Sequence, residues 1–169
     1  GEISGNFGKT INVFEKKFSQ YIGCKYSSTT SSGTTALQVA VAALSLNKGS
    51  EIIISSCTNI ATALAVVHNG HTPIPIDSDL DSWNIDIKKI EAQINKKTKA
   101  IIVVHFLGNP VNMKKITYLK KKYNLKIIED AAEAHGAKFY DKMIGNLSDI
   151  SCFSFYANKV LTSGEGGMV

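Results

Sequence analysis

The chain has 169 residues, about one domain's length and enough to bury a real core. Its 44% hydrophobic and 20% charged residues are ordinary for a globular protein, and no apolar run approaches the roughly 20 residues of a membrane helix. The net charge of +5 comes from lysines in helical runs, and the sequence holds no arginine, the usual reader of bases and phosphates, which argues against a nucleic-acid partner.

Taken in order, the elements alternate between helix and strand. Ile11, Phe14, Phe18, Tyr21 and Ile22 recur at helical spacing, with Thr10 as a possible cap. A second helix, rich in Ala, Leu and Val, is expected over 33–46. A buried strand at 51–55 precedes a helix over 60–68. Residues 73–77 read as a short strand whose prolines, Pro73 and Pro75, favour a sheet edge. A helix over 87–94 leads to a strand at 100–104, and a helix over 113–123 leads to a strand at 125–128. A small hairpin around Asp141-Lys142, a strand at 150–155 and a last strand beginning near Gly166 complete the series.

Continuously apolar strands separated by helices imply an α/β fold with a mostly parallel sheet covered on both faces. Ligands in such sheets bind outside the carboxyl ends of the strands. No GxGxxG follows any strand, which argues against a nicotinamide-binding domain. Cys24, Cys57 and Cys152 form no CxxC pair, so buried free thiols are expected rather than disulfides or a zinc site. No signal peptide precedes the first helix, and a cytoplasmic location is the expectation.

Three segments carry chemistry. Ser31-Ser32-Gly33-Thr34-Thr35 opens a helix, where free N–H groups and the dipole suit a phosphate, although a start of this kind, taken alone, is more often plain capping. Glu129-Asp130 follows a buried strand. Adjacent carboxylates there repel and lose hydration, so a cationic partner such as a protonated pyridine nitrogen would relieve them; acids favoured at a helix start are the alternative. Lys159 lies just beyond the aromatic segment Phe153-Ser154-Phe155-Tyr156, next to Gly164-Glu165-Gly166-Gly167. It is suited to a Schiff base or is simply a surface lysine.

Together and in this order, these segments resemble the DegT-type nucleotide-sugar aminotransferases. The resemblance rests on Phe153 to Lys159 with Gly164 to Gly167, on Glu129-Asp130-Ala131-Ala132-Glu133-Ala134-His135-Gly136-Ala137, and on Ser31 to Leu37, Val104-His105 and Gly108. It implies the large domain of a fold type I enzyme that uses pyridoxal 5'-phosphate (PLP). That domain would fill residues 1–169 and be incomplete at its C-terminal end, with the small C-terminal domain absent.

The implied activity moves an amino group from an amino acid such as glutamate to a nucleotide-linked 4-keto-6-deoxy sugar, in cell-surface polysaccharide or lipopolysaccharide biosynthesis. Lys159 would carry the cofactor covalently and shuttle the proton. Asp130 would pair with the pyridinium nitrogen, Glu133 would lie near the ring hydroxyl, Gly33, Thr34 and Ser154 would hold the phosphate, and Ser32 would be a further cofactor contact. The family often places an aromatic residue after a threonine to stack on the ring; here Asn59 follows Thr58 and is taken as a contact. A homodimer completes the site in the family. Two rival readings stay open: an inactive fragment or binding module, and a PLP-dependent sugar 3-dehydratase, in which a histidine replaces the lysine.

The same reading expects the apolar stripe of the first helix to rest on other parts of a larger enzyme. It also expects the strand at 166–169 to leave an open sheet edge.

Overall fold

A computed structural model describes residues 9–169. Its centre is a seven-stranded sheet in the order β1-β9-β8-β5-β4-β2-β3. The strands are β1 (Thr29–Thr30), β2 (Glu51–Ser55), β3 (Thr72–Ile76), β4 (Thr98–Val104), β5 (Lys126–Asp130), β8 (Ile150–Ser154) and β9 (Gly167–Met168). Neighbours from β3 to β8 run parallel, and only β9 is reversed, pairing antiparallel with β8 and β1. Strands β6 (Lys138–Phe139) and β7 (Lys142–Met143) form the expected hairpin.

Side chains alternate along each strand, so the sheet builds a core on either face. Ile52, Ile54, Ala100, Ile102 and Ile128 pack under α2 (Gly33–Ala43) and α3 (Ile60–His68). Ile53, Ile101, Val103 and Ile127 face the other way, toward α5 (Met113–Tyr123) and Ile90 of the short α4 (Ile87–Ile90). Helix α5 ends where Asn124 adopts the left-handed conformation (φ 52°), which asparagine tolerates better than most residues. The two prolines lie in β3, which is an edge strand.

Four expectations change. The stripe on α1 (Lys9–Ile22) rests on this chain's own sheet: Phe18 meets Phe153 and Phe155 with ring centroids 5.0 and 5.6 Å apart, and Ile22 is buried beside them. Val13 and Tyr21 on the same helix stay exposed. Strand β9 is no open edge, because it lies between β8 and β1, a strand of two threonines that forms only through that pairing. Thr10 lies inside α1 rather than capping it. Of the three free cysteines only Cys152 is buried; Cys24 and Cys57 are half-buried. Among the described residues no helix is long and apolar enough to cross a membrane.

Candidate active site

The parallel strands end along one side of the sheet, where the three chemistry-bearing segments meet. Helix α2 starts there with Ser32 as its N-cap: the Ser32 hydroxyl accepts from Thr35 N–H, and Thr35 Oγ1 accepts from Ser32 N–H. The Gly33 and Thr34 N–H groups, at the first helical positions, have no acceptor within the helix. Gly33 lies against the end of β8. A Cβ there would sit 2.7 Å from Ser154 Cβ, so only glycine lets this helix start approach that strand.

Glu129 and Asp130 do not crowd each other, because successive side chains of β5 leave opposite faces of the sheet. Asp130 turns toward α3. Its Oδ2 accepts from Thr62 Oγ1 at 2.9 Å and its Oδ1 from Ala132 N–H at 3.2 Å. Burial pushes its pKa up, against these two donors, and no lysine or histidine pairs with it within 4.0 Å among the described residues.

Glu129 turns to the other face and is fully buried. Its carboxylate accepts from His105 Nε2–H at 3.1 Å, Gly145 N–H at 3.2 Å and Leu147 N–H at 2.9 Å. His105 Nδ1 accepts from Val111 N–H at 3.1 Å, which leaves Nε2 as the ring nitrogen that donates to Glu129. Burial alone would raise the Glu129 pKa, but His105, through its hydrogen bond and its electrostatic attraction, and then the Gly145 and Leu147 N–H groups outweigh it and hold the group below its ordinary range.

Lys159 lies in the loop after β8. Its Nζ donates to Glu133 Oε1 at 3.2 Å, while Glu133 Oε2 accepts from Leu107 N–H at 3.1 Å. Glu133 thus joins the lysine to a tight turn at 106–108. Leu107 holds left-handed backbone angles there (φ 49°, ψ 31°), a conformation that costs a side-chain-bearing residue about 1–2 kcal/mol.

Ser32, Gly33, Thr34, Asn59, Asp130, Glu133, Ser154 and Lys159 all line one cleft of about 400 Å³. An adjoining lobe of about 390 Å³ shares Asn59, Asp130, Glu133 and Lys159 and adds Thr58 and Leu107. Asn59 has a local task as well: it caps α3, its Oδ1 accepting from Ala61 N–H at 3.0 Å. Sequence reasoning missed Thr62, the partner of Asp130. The available signal was a threonine three residues after the Asn59 cap, inside an otherwise apolar helix. It also missed Leu107, which no pattern announces.

The profile of the DegT/DnrJ/EryC1/StrS aminotransferase family matches residues 2–169. This chain belongs to that family. It is 46% identical over 162 residues to GDP-perosamine synthase of Escherichia coli O157:H7, covering 96% of this chain and 44% of that protein. Among solved structures, an aminotransferase from Psychrobacter cryohalolentis superposes with a TM-score of 0.93 at 40% identity, covering 95% of this chain and 41% of that one. An E. coli GDP-4-keto-6-deoxy-D-mannose-3-dehydratase with bound hydrated PLP gives 0.91 at 31% identity, covering 96% and 43%. The chain therefore spans less than half the length of the relatives it matches.

The raised pKa of Asp130 has a consequence for stability. A carboxyl whose folded pKa is raised contributes stability below its unfolded pKa, and that contribution is lost as pH rises through the folded value. Asp130→Asn keeps the shape and removes the charge. In the cofactor-free protein it is expected to gain stability relative to the native chain between pH 4 and pH 8, seen as a rising difference in melting temperature. An equal loss at both pH values would contradict an uncompensated charge at Asp130.

Proposed function

We propose that this chain is the cofactor-holding part of a PLP-dependent aminotransferase that aminates a nucleotide-linked 4-keto-6-deoxy sugar, with an amino acid such as glutamate as donor. The observation that carries this reading is the convergence of Lys159, Asp130 and the start of α2 on one cleft.

The residues fit PLP. Asp130 is a buried carboxylate with no cation within 4.0 Å among the described residues, and a protonated ring nitrogen would supply one. The open N–H groups at the start of α2, with the Ser154 hydroxyl beside them, suit a phosphate. When bound, PLP acts as an electron sink for the carbon that loses its proton. Asp130 Oδ would hold the proton on the ring nitrogen. Thr62 and Ala132 fix the rotamer of that carboxylate. Lys159 Nζ would carry the cofactor and move the proton during turnover, and Glu133, which accepts from that amine at 3.2 Å, would hold it in reach.

The full-length protein is read as a cytoplasmic homodimer whose partner subunit completes the phosphate site. Ile60, 67% exposed next to the cap residue Asn59, and Val160, 82% exposed next to Lys159, support a second surface covering the cleft. The 3-dehydratase reading has a family precedent in the structural neighbour above, but Lys159 favours amination.

Incubating the full-length protein with PLP, glutamate and a nucleotide-linked 4-keto-6-deoxyhexose is expected to yield the amino sugar, detected by mass spectrometry. Loss of the sugar's 3-hydroxyl without amination would replace this reading with the dehydratase.

A further inference from the structure

The turn at 106–108 is held far more firmly than a surface turn needs. Asn84, 5% exposed, clamps both sides of it: its Oδ1 accepts from Phe106 N–H at 3.1 Å and its Nδ2 donates to Asn109 C=O at 3.0 Å. Gly108 N–H donates to His105 C=O, and His105 is itself fixed by Glu129 and Val111. Gly108 (φ 81°) passes so near the Glu133 carbonyl that a Cβ would lie 3.1 Å from it. Between these restraints stands Leu107, in left-handed backbone geometry, with 75% of its surface exposed.

Backbone strain of this kind persists only where the surroundings impose it, and it concentrates at functional sites. Holding Glu133 explains the Leu107 N–H, since any residue but proline supplies that donor. It does not explain a large apolar side chain displayed to solvent on strained backbone. Leu107 lines the cleft lobe shared with Lys159 and Glu133.

We propose that Leu107 is a specificity-determining residue: its side chain forms an apolar contact that favours a keto sugar carrying a methyl group beside the reacting carbon over one carrying a hydroxymethyl group. The proposal rests on the sugar-aminating reading above and deepens it. In a 4-keto-6-deoxyhexose the C6 methyl is attached to C5, the neighbour of the ketone carbon. A small apolar contact of this type discriminates by roughly tenfold rather than by many orders of magnitude, because a pocket wall alone rejects an added hydroxyl poorly.

The test uses the full-length, PLP-loaded protein and two variants, Leu107→Asn and Leu107→Gly. Both residues tolerate the left-handed region and keep the N–H that binds Glu133, so thermal stability is expected to be unchanged or higher. Calorimetry then compares the affinity for a nucleotide-linked 6-deoxyhexose with that for the matching 6-hydroxyhexose. The native protein is expected to prefer the deoxy sugar by roughly tenfold, and both variants by less than about twofold. An unchanged preference in two folded variants would overturn the role of Leu107 and leave the sugar reading intact. Failure of the native protein to bind either sugar would overturn both.

Discussion

Replacing Lys159 by arginine in the full-length protein is expected to lower amination by at least about 10³-fold while leaving the fold intact. Arginine keeps the positive charge and can still meet Glu133, so the surroundings change little. It is always protonated and offers no free amine, so it can neither attach covalently nor accept a proton. The Lys159–Glu133 ion pair is partly exposed, with side chains 17% and 37% accessible, so it contributes at most about 1 kcal/mol to stability. The separation between lost turnover and retained melting temperature is what marks Lys159 as chemical rather than structural. A variant with more than about a tenth of native turnover would remove it from that role.

The second large effect is structural. Glu129→Gln is expected to destabilise the protein by about 3 kcal/mol or more, although it alters one atom. Both carboxylate oxygens of Glu129 accept: Oε2 from His105 and Gly145, Oε1 from Leu147. An amide has only one acceptor oxygen, so in either orientation its NH₂ faces a donor in a fully buried place. His105 cannot adapt by moving its proton, because its Nδ1 already accepts from Val111. For a chain of this size the loss corresponds to a fall in melting temperature of roughly 6–12 °C.

The pH dependence has a definite sign. A carboxyl held below its ordinary range contributes stability above its unfolded pKa, about 4.5, and loses it as pH falls through the lower folded value. The native protein and Glu129→Gln should therefore converge in stability as the solution is made more acidic than pH 4. A melting temperature within 2 °C or so of the native value at pH 7 would contradict the arrangement around Glu129.

Much of this was legible in the residues themselves. The apolar runs at 51–55 and 100–104 announce buried parallel strands, and Pro73 and Pro75 mark the edge. The eight residues singled out by motif and order do share one cleft. The alternation of β5 was also readable, and it shows that the repulsion expected between Glu129 and Asp130 is resolved by geometry before any ligand arrives. What stayed hidden depends on long-range contacts. Thr29 and Thr30 are a strand only because β9 lies beside them. The stripe on α1 says that something apolar covers it, but not that Phe153 and Phe155 do so. Leu107 is a poor residue for positive φ, so local preference points away from the turn it occupies. It is held there by Asn84, 23 residues earlier in the chain, and by a carboxylate 26 residues later.

Lys159 is proposed as the lysine to which PLP attaches. The most direct measurement is borohydride reduction of the PLP-loaded full-length protein, followed by protease digestion and peptide mass spectrometry. A single reduced pyridoxyl group on the peptide containing Lys159 is the predicted result. A label on another lysine such as Lys48 or Lys142, or no label on a protein that binds PLP, would contradict it.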